Sequence, residues 1–311
     1  MLVRILQWAI VWMACCSPVM AQRNYPPSLE GAKTHVYKTV GETKLSLWVY
    51  SPNQPQEKQP AIIFFFGGGW TGGSPEQFEQ QCRYLASRGM VAITADYRVA
   101  SRHKTKAIDA VRDAKSAVRW VRAHAAQLKI DPDRIAAGGG SAGGHLAACT
   151  GTLNDLDEPG EDKAVSSRPN ALVLFNPAVS FRSKSDDAAA QKQLAQLPSR
   201  LGTEPRNLSP IEHISAQTPP TLIMIGTKDF LIEGNRDFVQ EMKAADRRCE
   251  LDLYEGREHG FFNYGRQETK DFLATTASMD RFLASLGYLQ GPPTVDSFFH
   301  AASDIKTPAG R

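Results

Sequence analysis

The 311-residue chain lacks the sequence features that mark several functional classes of protein. Its formal net charge is only +3 and Lys and Arg form no dense stripe, so neither nucleic acid nor an anionic membrane is indicated as a partner. No Cys/His cluster has the spacing of a zinc site, and no H-E-x-x-H motif occurs. We therefore predict no catalytic metal and no other cofactor. No internal repeat is visible either.

Cysteine is scarce and unevenly placed. Two of the five cysteines, Cys15 and Cys16, lie in an apolar stretch at the N-terminus. The other three, Cys82, Cys149 and Cys249, are odd in number and irregularly spaced, which does not indicate a disulfide framework. One disulfide stays open as an alternative, but the pattern favours buried free thiols.

The N-terminal stretch has the pattern of an export signal. Arg4 precedes an almost wholly apolar run at 5–16, and Ala21 ends a small-residue cleavage site. The run is shorter than the roughly 20 apolar residues that cross a bilayer, so no stable membrane insertion is expected after cleavage. The pattern predicts a signal peptide at 1–21 and a secreted or periplasmic protein. An uncleaved anchor and a lipid attached to Cys15 are the weaker alternatives.

The rest of the chain is predicted to form one domain at 34–289. Hydrophobic residues make up 42% of the sequence, which is enough for one large core. We predict a loose lead-in at 22–33 and a weakly ordered, proline-containing tail at 290–311. The polar stretch 178–218 is long for a plain connection, and it predicts either a lid or substrate-facing insertion, or a solvated surface excursion.

Strand and helix patterns alternate along this domain. Runs that are apolar on both faces suit the centre of a parallel sheet that is covered by helices. The sequence therefore predicts an α/β fold: a mostly parallel eight-stranded sheet with an antiparallel N-terminal hairpin and helices on both faces. The predicted strands span 35–40, 44–50, 61–66, 91–95, 134–137, 171–175, 221–225 and 251–254. The predicted helices span 78–87, 106–128, 141–151, 233–245 and 268–286.

A candidate nucleophile lies between one of these strands and the helix that follows it. The segment Gly139-Gly140-Ser141-Ala142-Gly143 matches the motif G-x-S-x-G in the context that the motif requires. Glycines beside the serine let the chain turn sharply, and the turn lifts the Ser141 hydroxyl above the sheet. The N-terminus of the helix below favours negative charge that develops there.

A serine hydroxyl is a weak nucleophile and needs a base, which is usually histidine. His259 follows the last predicted strand, at the sheet edge where catalytic groups of open α/β sheets gather. His145 lies four residues after Ser141 on the same helix, so we expect it to pack beside the site rather than act in it. His103 and His213 lie in loops and remain the serious rivals of His259.

The base in turn needs a carboxylate that fixes its tautomer and stabilises the imidazolium. Asp229 follows the strand at 221–225 and thus lies at the same sheet edge as His259. Glu233 and Asp252 are weaker candidates for the acid. Asp252 lies inside a predicted strand, where a structural role is expected.

A triple glycine follows the strand at 61–66. Backbone N–H groups in the loop Gly67-Gly68-Gly69-Trp70 can approach a substrate carbonyl closely, as an oxyanion hole requires. The N–H of Ala142, just after the candidate nucleophile, would complete such a hole.

These segments resemble the α/β-hydrolase superfamily. Within it they are similar to the esterase group that contains hormone-sensitive-lipase-like and bacterial feruloyl- and acetyl-xylan-esterase-like members. The resemblance covers about residues 35–287. The segments that carry it are Phe66 to Trp70, Asp96-Tyr97-Arg98, Asp113 to Trp120, Asp131 to Ile135, Gly139 to His145, Gly226 to Asp229 and Glu258 to Phe261.

The resemblance implies a serine esterase that acts through an acyl-enzyme on a small-molecule or polysaccharide-linked ester. It implies that Ser141 is the nucleophile, His259 the base and Asp229 the acid, in the chain order that the superfamily uses. It implies oxyanion donors at the N–H groups of Gly68, Gly69 and Ala142. The sequence gives no indication of the oligomeric state.

One departure from the family pattern affects the glycine loop, and a few residues bear on the substrate. The family usually has histidine where this chain has Phe66, which puts in doubt how the loop is held. The stretch 113–119 resembles the carbohydrate-esterase-like branch and favours acetyl or feruloyl groups. Trp70, Phe261 and Phe262 are predicted either to line an acyl or sugar pocket or to pack in the core.

Two other functions stay open on the sequence. The same three residues could serve a peptidase or an arylformamidase, although the sequence shows no obvious propeller domain of the prolyl-oligopeptidase type, which disfavours the peptidase. A binding protein on the hydrolase fold is the other alternative, but such a protein has no need to keep nucleophile, base and acid together.

Overall fold

The structure is a computed structural model, and it describes residues 25–182, 196–266 and 269–304. The predicted signal peptide at 1–21 lies outside the described residues, as does the central part of the predicted lid, 183–195.

An eight-stranded sheet runs through the centre of the domain, in the order β1-β2-β4-β3-β5-β6-β7-β8. Its strands are β1 Lys33–Val40, β2 Thr43–Tyr50, β3 Gln59–Phe65, β4 Val91–Ala95, β5 Ile130–Gly140, β6 Ala171–Phe175, β7 Thr221–Gly226 and β8 Cys249–Tyr254. Only the β1–β2 and β2–β4 pairs are antiparallel, and the other five pairs are parallel. The predicted fold class is confirmed.

Seven α-helices that lie wholly within the described residues cover the sheet, and residues 196–201 are helical as well. They are α1 Glu79–Ser87, α2 Ala100–His103, α3 Ala107–Ala123, α4 Ala142–Thr152, α5 Ile232–Ala244, α6 Lys270–Ser285 and α7 Val295–Asp304. The two faces of the sheet carry separate apolar layers, with α3, α4 and α5 on one side and α1 and α6 on the other.

The central strand β3 shows why the sheet is buried on both faces. All seven of its residues are buried. Ile63 and Phe65 point into one apolar layer, and Ile62 and Phe64 point into the other, as the two-residue period of a strand requires. The continuous apolar run in the sequence is therefore the signature of a strand with helices on both sides.

The described part of the C-terminal segment, 290–304, differs from its prediction as a weakly ordered tail, and 305–311 lie outside the described residues. Residues 295–304 form α7, in which Val295 is buried and Phe298 and Phe299 are partly buried. Both phenylalanine rings pack on Tyr84 of α1, with ring centroids 5.6 and 6.2 Å away. The apolar face of this helix stabilises it against the domain, and the two prolines before it do not prevent that.

The described part of the predicted lid is packed against the domain. Leu201, Leu208 and Ile211 are buried in the apolar layer that contains α3 and α4. Short 3-10 helices at Pro205–Leu208 and Pro210–His213 carry two of these side chains inward. This half of the stretch is therefore not a solvated excursion, and a lid role for the other half stays a prediction.

The three cysteines of the described chain are free thiols. Cys82 and Cys149 are buried, as predicted, and burial raises the pKa of both well above the ordinary thiol value. Cys249 is partly buried. Among the described helices, none is both long and apolar enough to cross a membrane.

Candidate active site

Ser141 occupies the sharp turn between β5 and α4. Its backbone has φ 53° and ψ −116°, a conformation that costs about 1–3 kcal/mol for a residue with a side chain. The N–H of Ser141 donates to the carbonyl of Phe175 at the end of β6, 2.9 Å away. The sheet thus holds the strained residue in place, with its hydroxyl at the carboxyl edge and at the N-terminus of α4.

The glycines that flank this turn are required by close approach of the backbone. A Cβ atom on Gly143 would lie 2.0 Å from the carbonyl oxygen of Phe65, and one on Gly139 would lie 2.5 Å from the carbonyl of Gly143. No side chain fits in these spaces. The first turn of α4 therefore lies directly against the end of β3, which brings Ser141 next to the glycine loop.

The structure brings the three predicted polar residues together. The Nε2 atom of His259 lies 2.8 Å from Oγ of Ser141, and Nδ1 lies 2.8 Å from Oδ2 of Asp229. An ionised carboxylate can only accept, so Nδ1 carries the proton and Nε2 is left to accept from the serine hydroxyl. The Asp229 side chain is buried, and its Oδ1 accepts from the N–H of Leu231 at 2.9 Å.

Two loops at the ends of β7 and β8 hold the acid and the base against each other. The N–H of Lys228 donates to the carbonyl of Arg257 at 3.0 Å. A Cβ atom on Gly226 would lie 2.0 Å from that same carbonyl oxygen, so the loops touch through their backbones. The distance between Asp229 and His259 is thus set by the ends of two neighbouring strands.

The glycine loop follows the carboxyl end of β3, at the same edge of the sheet. Gly68 has φ 125° and Gly69 has φ 61°, and a Cβ atom on Gly68 would lie 2.3 Å from the carbonyl oxygen of Gly72. No described residue accepts a hydrogen bond from the N–H of Gly68, Gly69 or Ala142. These three groups, which the resemblance implies as oxyanion donors, are therefore available to a ligand oxygen.

A family model identifies the chain. The model named BD-FAE matches residues 47–238, more than half of the sequence. The chain belongs to the BD-FAE family.

Sequence relatives of this BD-FAE member carry the names of ester hydrolases. Carboxylesterase NlhH of Mycobacterium tuberculosis is 32% identical over 260 residues, which cover 79% of this chain and 81% of NlhH. The probable carboxylic ester hydrolase LipM of the same species is 32% identical over 61% of this chain and 46% of LipM. A probable isoprenylcysteine α-carbonyl methylesterase of Arabidopsis thaliana is 29% identical over 72% of this chain and 50% of its own length. The chain spans about half the length of the last two relatives.

Solved structures show the same relationship over nearly the whole domain. Esterase 2 of Thermogutta terrifontis, phosphonylated by sarin, is 48% identical with a TM-score of 0.81, covering 86% of this chain and 99% of the esterase. The butyrate-bound form of that esterase is 49% identical with a TM-score of 0.81. The comparisons confirm the α/β-hydrolase fold and the membership in a group of carboxylesterases.

Phe66, where the family usually has histidine, is held by apolar packing in this BD-FAE member. Its ring stacks on that of Tyr97 with centroids 4.1 Å apart, and the Tyr97 hydroxyl donates to the Phe66 carbonyl at 2.7 Å. A Cβ atom on Gly73 would lie 2.5 Å from the Phe66 ring, so the far end of the glycine loop closes over it. A stacked pair thus anchors the loop in place of a polar side chain.

His145 is a buried structural group, as expected from its place on α4. Its Nδ1 lies 3.2 Å from the indole N–H of Trp70, and its Nε2 lies 2.7 Å from the carbonyl of Leu208. The imidazole must therefore accept at Nδ1 and donate at Nε2, which is possible only in the neutral form. Burial lowers its pKa to about 4. The Nδ1 atom of His103 accepts from the N–H of Val99 at 3.1 Å, and Nε2 of His213 lies 3.1 Å from the carbonyl of Arg206.

The adjacent phenylalanines that were predicted either to line a pocket or to pack in the core are buried. Phe261 and Phe262 are only 2% and 1% exposed. Phe262 packs on Phe78 and Phe175, and its ring fills the space where a Cβ atom on Gly140 would lie, 2.4 Å from Cζ. Phe262 therefore belongs to the apolar layer that contains α1 and α6, as the core-packing alternative has it, and a pocket-lining role for either residue stays a prediction.

Trp70 is also buried, at 8% exposure, and its ring packs edge-on against His145 and Phe181. Its indole N–H is used by His145, so Trp70 fixes the end of the glycine loop rather than offering a free surface. The packing fits the core alternative, and a substrate-lining role for Trp70 stays a prediction.

Two residues beside the site were missed in the sequence. Phe230 is 77% exposed, and its ring centroid lies 4.7 Å from that of His259. Asn176 is buried at the end of β6, and its Oδ1 accepts from the N–H of Gly260 at 3.1 Å. Each follows a signal that could have been used: Phe230 comes directly after Asp229, and Asn176 comes directly after a strand that ends at the catalytic edge.

The stretch 113–119, which favoured a carbohydrate esterase, lies on α3 and is occupied by structural contacts. Asp113 is buried and accepts from Lys38 at 2.7 Å and from Arg98 at 2.8 Å. Lys115 and Arg119 bind the segment that follows α4, through Asp157 at 3.2 and 2.5 Å. The side chains of this stretch are therefore engaged in structural contacts, and a carbohydrate-linked substrate stays a prediction.

Among the described residues, no group of three or more His, Cys, Asp or Glu side chains could hold a metal ion.

Proposed function

We propose that this protein is an exported serine esterase that hydrolyses short-chain carboxylic esters through an acyl-enzyme. The observation that carries the proposal is the hydrogen-bonded chain from Ser141 through His259 to the buried Asp229, with both contacts at 2.8 Å. This arrangement suits nucleophilic attack on a carbonyl, because the base already lies within reach of the hydroxyl proton.

The proposed reaction has two halves. Oγ of Ser141 attacks the ester carbonyl while Nε2 of His259 takes its proton, and Asp229 stabilises the imidazolium through Nδ1. The negative oxygen that forms accepts hydrogen bonds from the oxyanion donors at Gly68, Gly69 and Ala142. The imidazolium then gives its proton to the leaving alcohol. Water enters, loses a proton to Nε2 and releases the acid by the reverse sequence.

The acyl specificity is proposed from the solved relatives. The Thermogutta terrifontis esterase, 49% identical to this chain, has been solved with propionate and with butyrate bound. Both are short carboxylic acids, which supports acyl groups of a few carbons here. Acetyl or feruloyl groups on polysaccharides remain a second substrate class to be tested beside the short-chain esters.

A substrate panel tests the activity. We expect the highest kcat/KM on p-nitrophenyl esters of two to four carbons, a steep fall by twelve carbons, and no cleavage of a peptide p-nitroanilide. Acetylated xylan and methyl ferulate test the polysaccharide-linked class. A protein that cleaves only the anilide or a formamide would be a peptidase or an arylformamidase, and a protein that cleaves none of these would favour the binding alternative.

The role of Ser141 is tested by stoichiometric labelling. Paraoxon transfers its diethylphosphoryl group to a serine Oγ and releases p-nitrophenolate, and the Thermogutta terrifontis esterase has been solved after phosphorylation by this compound. We expect one equivalent of p-nitrophenolate and a mass increase on the Ser141 peptide. Ser141→Ala should abolish both labelling and turnover with an unchanged circular dichroism spectrum. Labelling elsewhere, or an active alanine variant, would overturn the mechanism.

Export is proposed from the N-terminal pattern alone. N-terminal sequencing of the protein recovered from the periplasm or the medium should begin at Gln22. A chain that keeps residues 1–21 and sediments with membranes would instead be anchored.

A further inference from the structure

A chain of side-chain amides joins the glycine loop to the histidine loop. The N–H of Gly67 donates to Oε1 of Gln77 at 2.6 Å. Nε2 of Gln77 donates to Oδ1 of Asn263 at 2.8 Å, and Nδ2 of Asn263 donates to the carbonyl of Gly260 at 2.8 Å. Gly67 directly precedes the proposed oxyanion donors, and Gly260 directly follows His259. We call Gln77 and Asn263 the amide bridge.

The two ends of the amide bridge fix the orientation of both amides. A backbone N–H can only donate and a backbone carbonyl can only accept, so Gln77 must present its oxygen to Gly67 and Asn263 its nitrogen to Gly260. The contact between the two amides then has one donor and one acceptor, with no conflict. Every hydrogen bond in the bridge runs in the same direction, and hydrogen bonds that follow one another in this way polarise and strengthen each other.

The bridge is supported by rigid elements at both ends. Gln77 lies in the 3-10 helix Pro75–Phe78, whose first and last residues are buried and whose Pro75 carbonyl accepts from Thr94 at 2.8 Å. At the other end, the N–H of Gly260 donates to Asn176, whose own N–H donates to the carbonyl of Met224 at 2.8 Å. The bridge therefore connects the end of β3 with the ends of β6, β7 and β8.

The side chains of the bridge are only half-buried, which separates them from the core. Together with Gly67 and Tyr264 they line an open cavity of about 440 Å³ between the two loops. An apolar side chain of similar length can replace Gln77 there without creating a void in the apolar layers. Loss of the bridge should therefore change the relative position of the loops more than the stability of the domain.

We propose that Gln77 and Asn263 are positioning residues, which set the distance between the oxyanion donors and the imidazole of His259. The inference rests on the proposed esterase function. Charge develops on the substrate oxygen and on the imidazole only in the transition state, so a shift between the loops weakens transition-state binding more than substrate binding. A displacement of about 1 Å at such a site costs on the order of 10² in rate.

The first test replaces Gln77 and compares the result with a matched control. Gln77→Leu should lower kcat on a p-nitrophenyl ester about 10- to 100-fold, with KM changed by less than about threefold. Gln80 lines the same cavity, and it makes no side-chain hydrogen bond to a described residue. Gln80→Leu should therefore leave kcat and KM as in the wild type. Equal thermal unfolding midpoints of the two variants would show that the loss in kcat is not a loss of folding.

The second test asks whether the two amides act as one unit. Once one amide is removed the bridge is already broken, so Gln77→Leu/Asn263→Leu should lose no more activity than the worse single variant. Independent roles would instead give the product of the two losses. A trifluoromethyl ketone that mimics the tetrahedral intermediate should bind more weakly by the same factor as kcat/KM falls, while butyrate should bind as before.

The outcomes separate this inference from the proposed function. If the wild type hydrolyses the ester and Gln77→Leu matches Gln80→Leu in kcat, the positioning role is wrong while the esterase stands. A raised KM for the ester and weaker binding of butyrate, with kcat unchanged, would likewise overturn it in favour of a substrate-binding role. A wild type without esterase activity, or an active Ser141→Ala variant, would overturn the proposed function and this inference with it.

Discussion

Two clusters of buried polar side chains in this domain differ in whether their contacts are complete. Around α3, Asp113 meets Lys38 and Arg98, and Lys38 also meets Glu158 at 2.7 Å. We call these four residues the α3 cluster. In it every charged group has an opposite charge within hydrogen-bonding distance.

The Ser141–His259–Asp229 chain is buried at one end only. The Asp229 side chain has no exposed surface, whereas 27% of the His259 side chain is exposed and its neighbour Phe230 is 77% exposed. The hydrogen bonds run from the interior to a hydroxyl at the edge of the sheet. In a closed set of ion pairs the loss of one partner leaves a buried charge uncompensated, while a set with an open end can pass a proton to a ligand.

The largest expected effect comes from the acid of the open-ended chain. Asp229→Asn keeps the shape of the side chain, but its NH₂ group would favour the wrong tautomer of His259. We expect kcat to fall about 10⁴-fold, as in other triads, with the unfolding midpoint little changed. Steady-state kinetics beside thermal unfolding would measure both. Retention of more than a tenth of the wild-type rate would show that the two clusters do not differ as described.

A change of the same kind in the α3 cluster should have the opposite profile. Asp113→Asn leaves Lys38 and Arg98 almost buried beside a neutral side chain, with the partly exposed Glu158 to balance both charges. Removing one partner of a buried ion pair costs about 3–5 kcal/mol, so we expect a loss of that size in the free energy of unfolding. Chemical denaturation measures it. The kcat per folded molecule, from active-site titration, should match that of the wild type, and a large fall in kcat would link the α3 cluster to catalysis.

The smallest effect is expected for His145, which lies near the site but, like the α3 cluster, has a structural role. Its pKa in the folded protein is about 4, against an ordinary value of 6.5, because burial disfavours the charged form. The unfolded chain therefore binds this proton first as the pH falls. The contribution of the neutral imidazole to the free energy of unfolding is present above about pH 6.5 and is lost as the pH falls toward 4. Between about pH 7.5 and about pH 5 the loss is about 2 kcal/mol.

His145→Gln keeps an acceptor for Trp70 and a donor for Leu208 but does not titrate. The variant should lack this acid-dependent loss, as measured by urea unfolding at the two pH values, and should retain most of the activity. Asp96 contributes the opposite slope, because burial raises its pKa to about 6 and the folded carboxyl binds a proton first. Asp96 is present in both proteins, so the difference between them isolates His145. Identical slopes would contradict the assignment.

The parts of the structure that the sequence predicts best are those with a local signal. The fully apolar run of β3 and the G-x-S-x-G turn each carry their pattern in a few neighbouring residues. The order of Ser141, Asp229 and His259 along the chain could be used because parallel strands all end at one edge of the sheet. The sheet and the polar chain at its edge follow from these signals.

The parts that escaped prediction depend on partners far away in the sequence. Gln77 meets Asn263 across 186 positions, and Asn176 meets Gly260 across 84. The end of β6 marks the position of Asn176 at the catalytic edge, but nothing near any of these residues in the sequence identifies its partner. The burial of Phe261 and Phe262 was undecided for the same reason, because two adjacent rings have no period that tells the core from a pocket. Helix α7 was missed because the prolines before it resemble the start of a loose tail.

The close contact between Gly140 and Phe262 has a consequence for how this part of the chain can vary over evolution. In G-x-S-x-G the second position is nominally free, but here the phenylalanine ring already fills the space of a Cβ atom. A larger residue at 140 therefore has to arise together with a smaller one at 262, although the two are far apart along the chain. In homologous esterases the side-chain sizes at these two positions should covary. A design that changes one of them has to change the other as well.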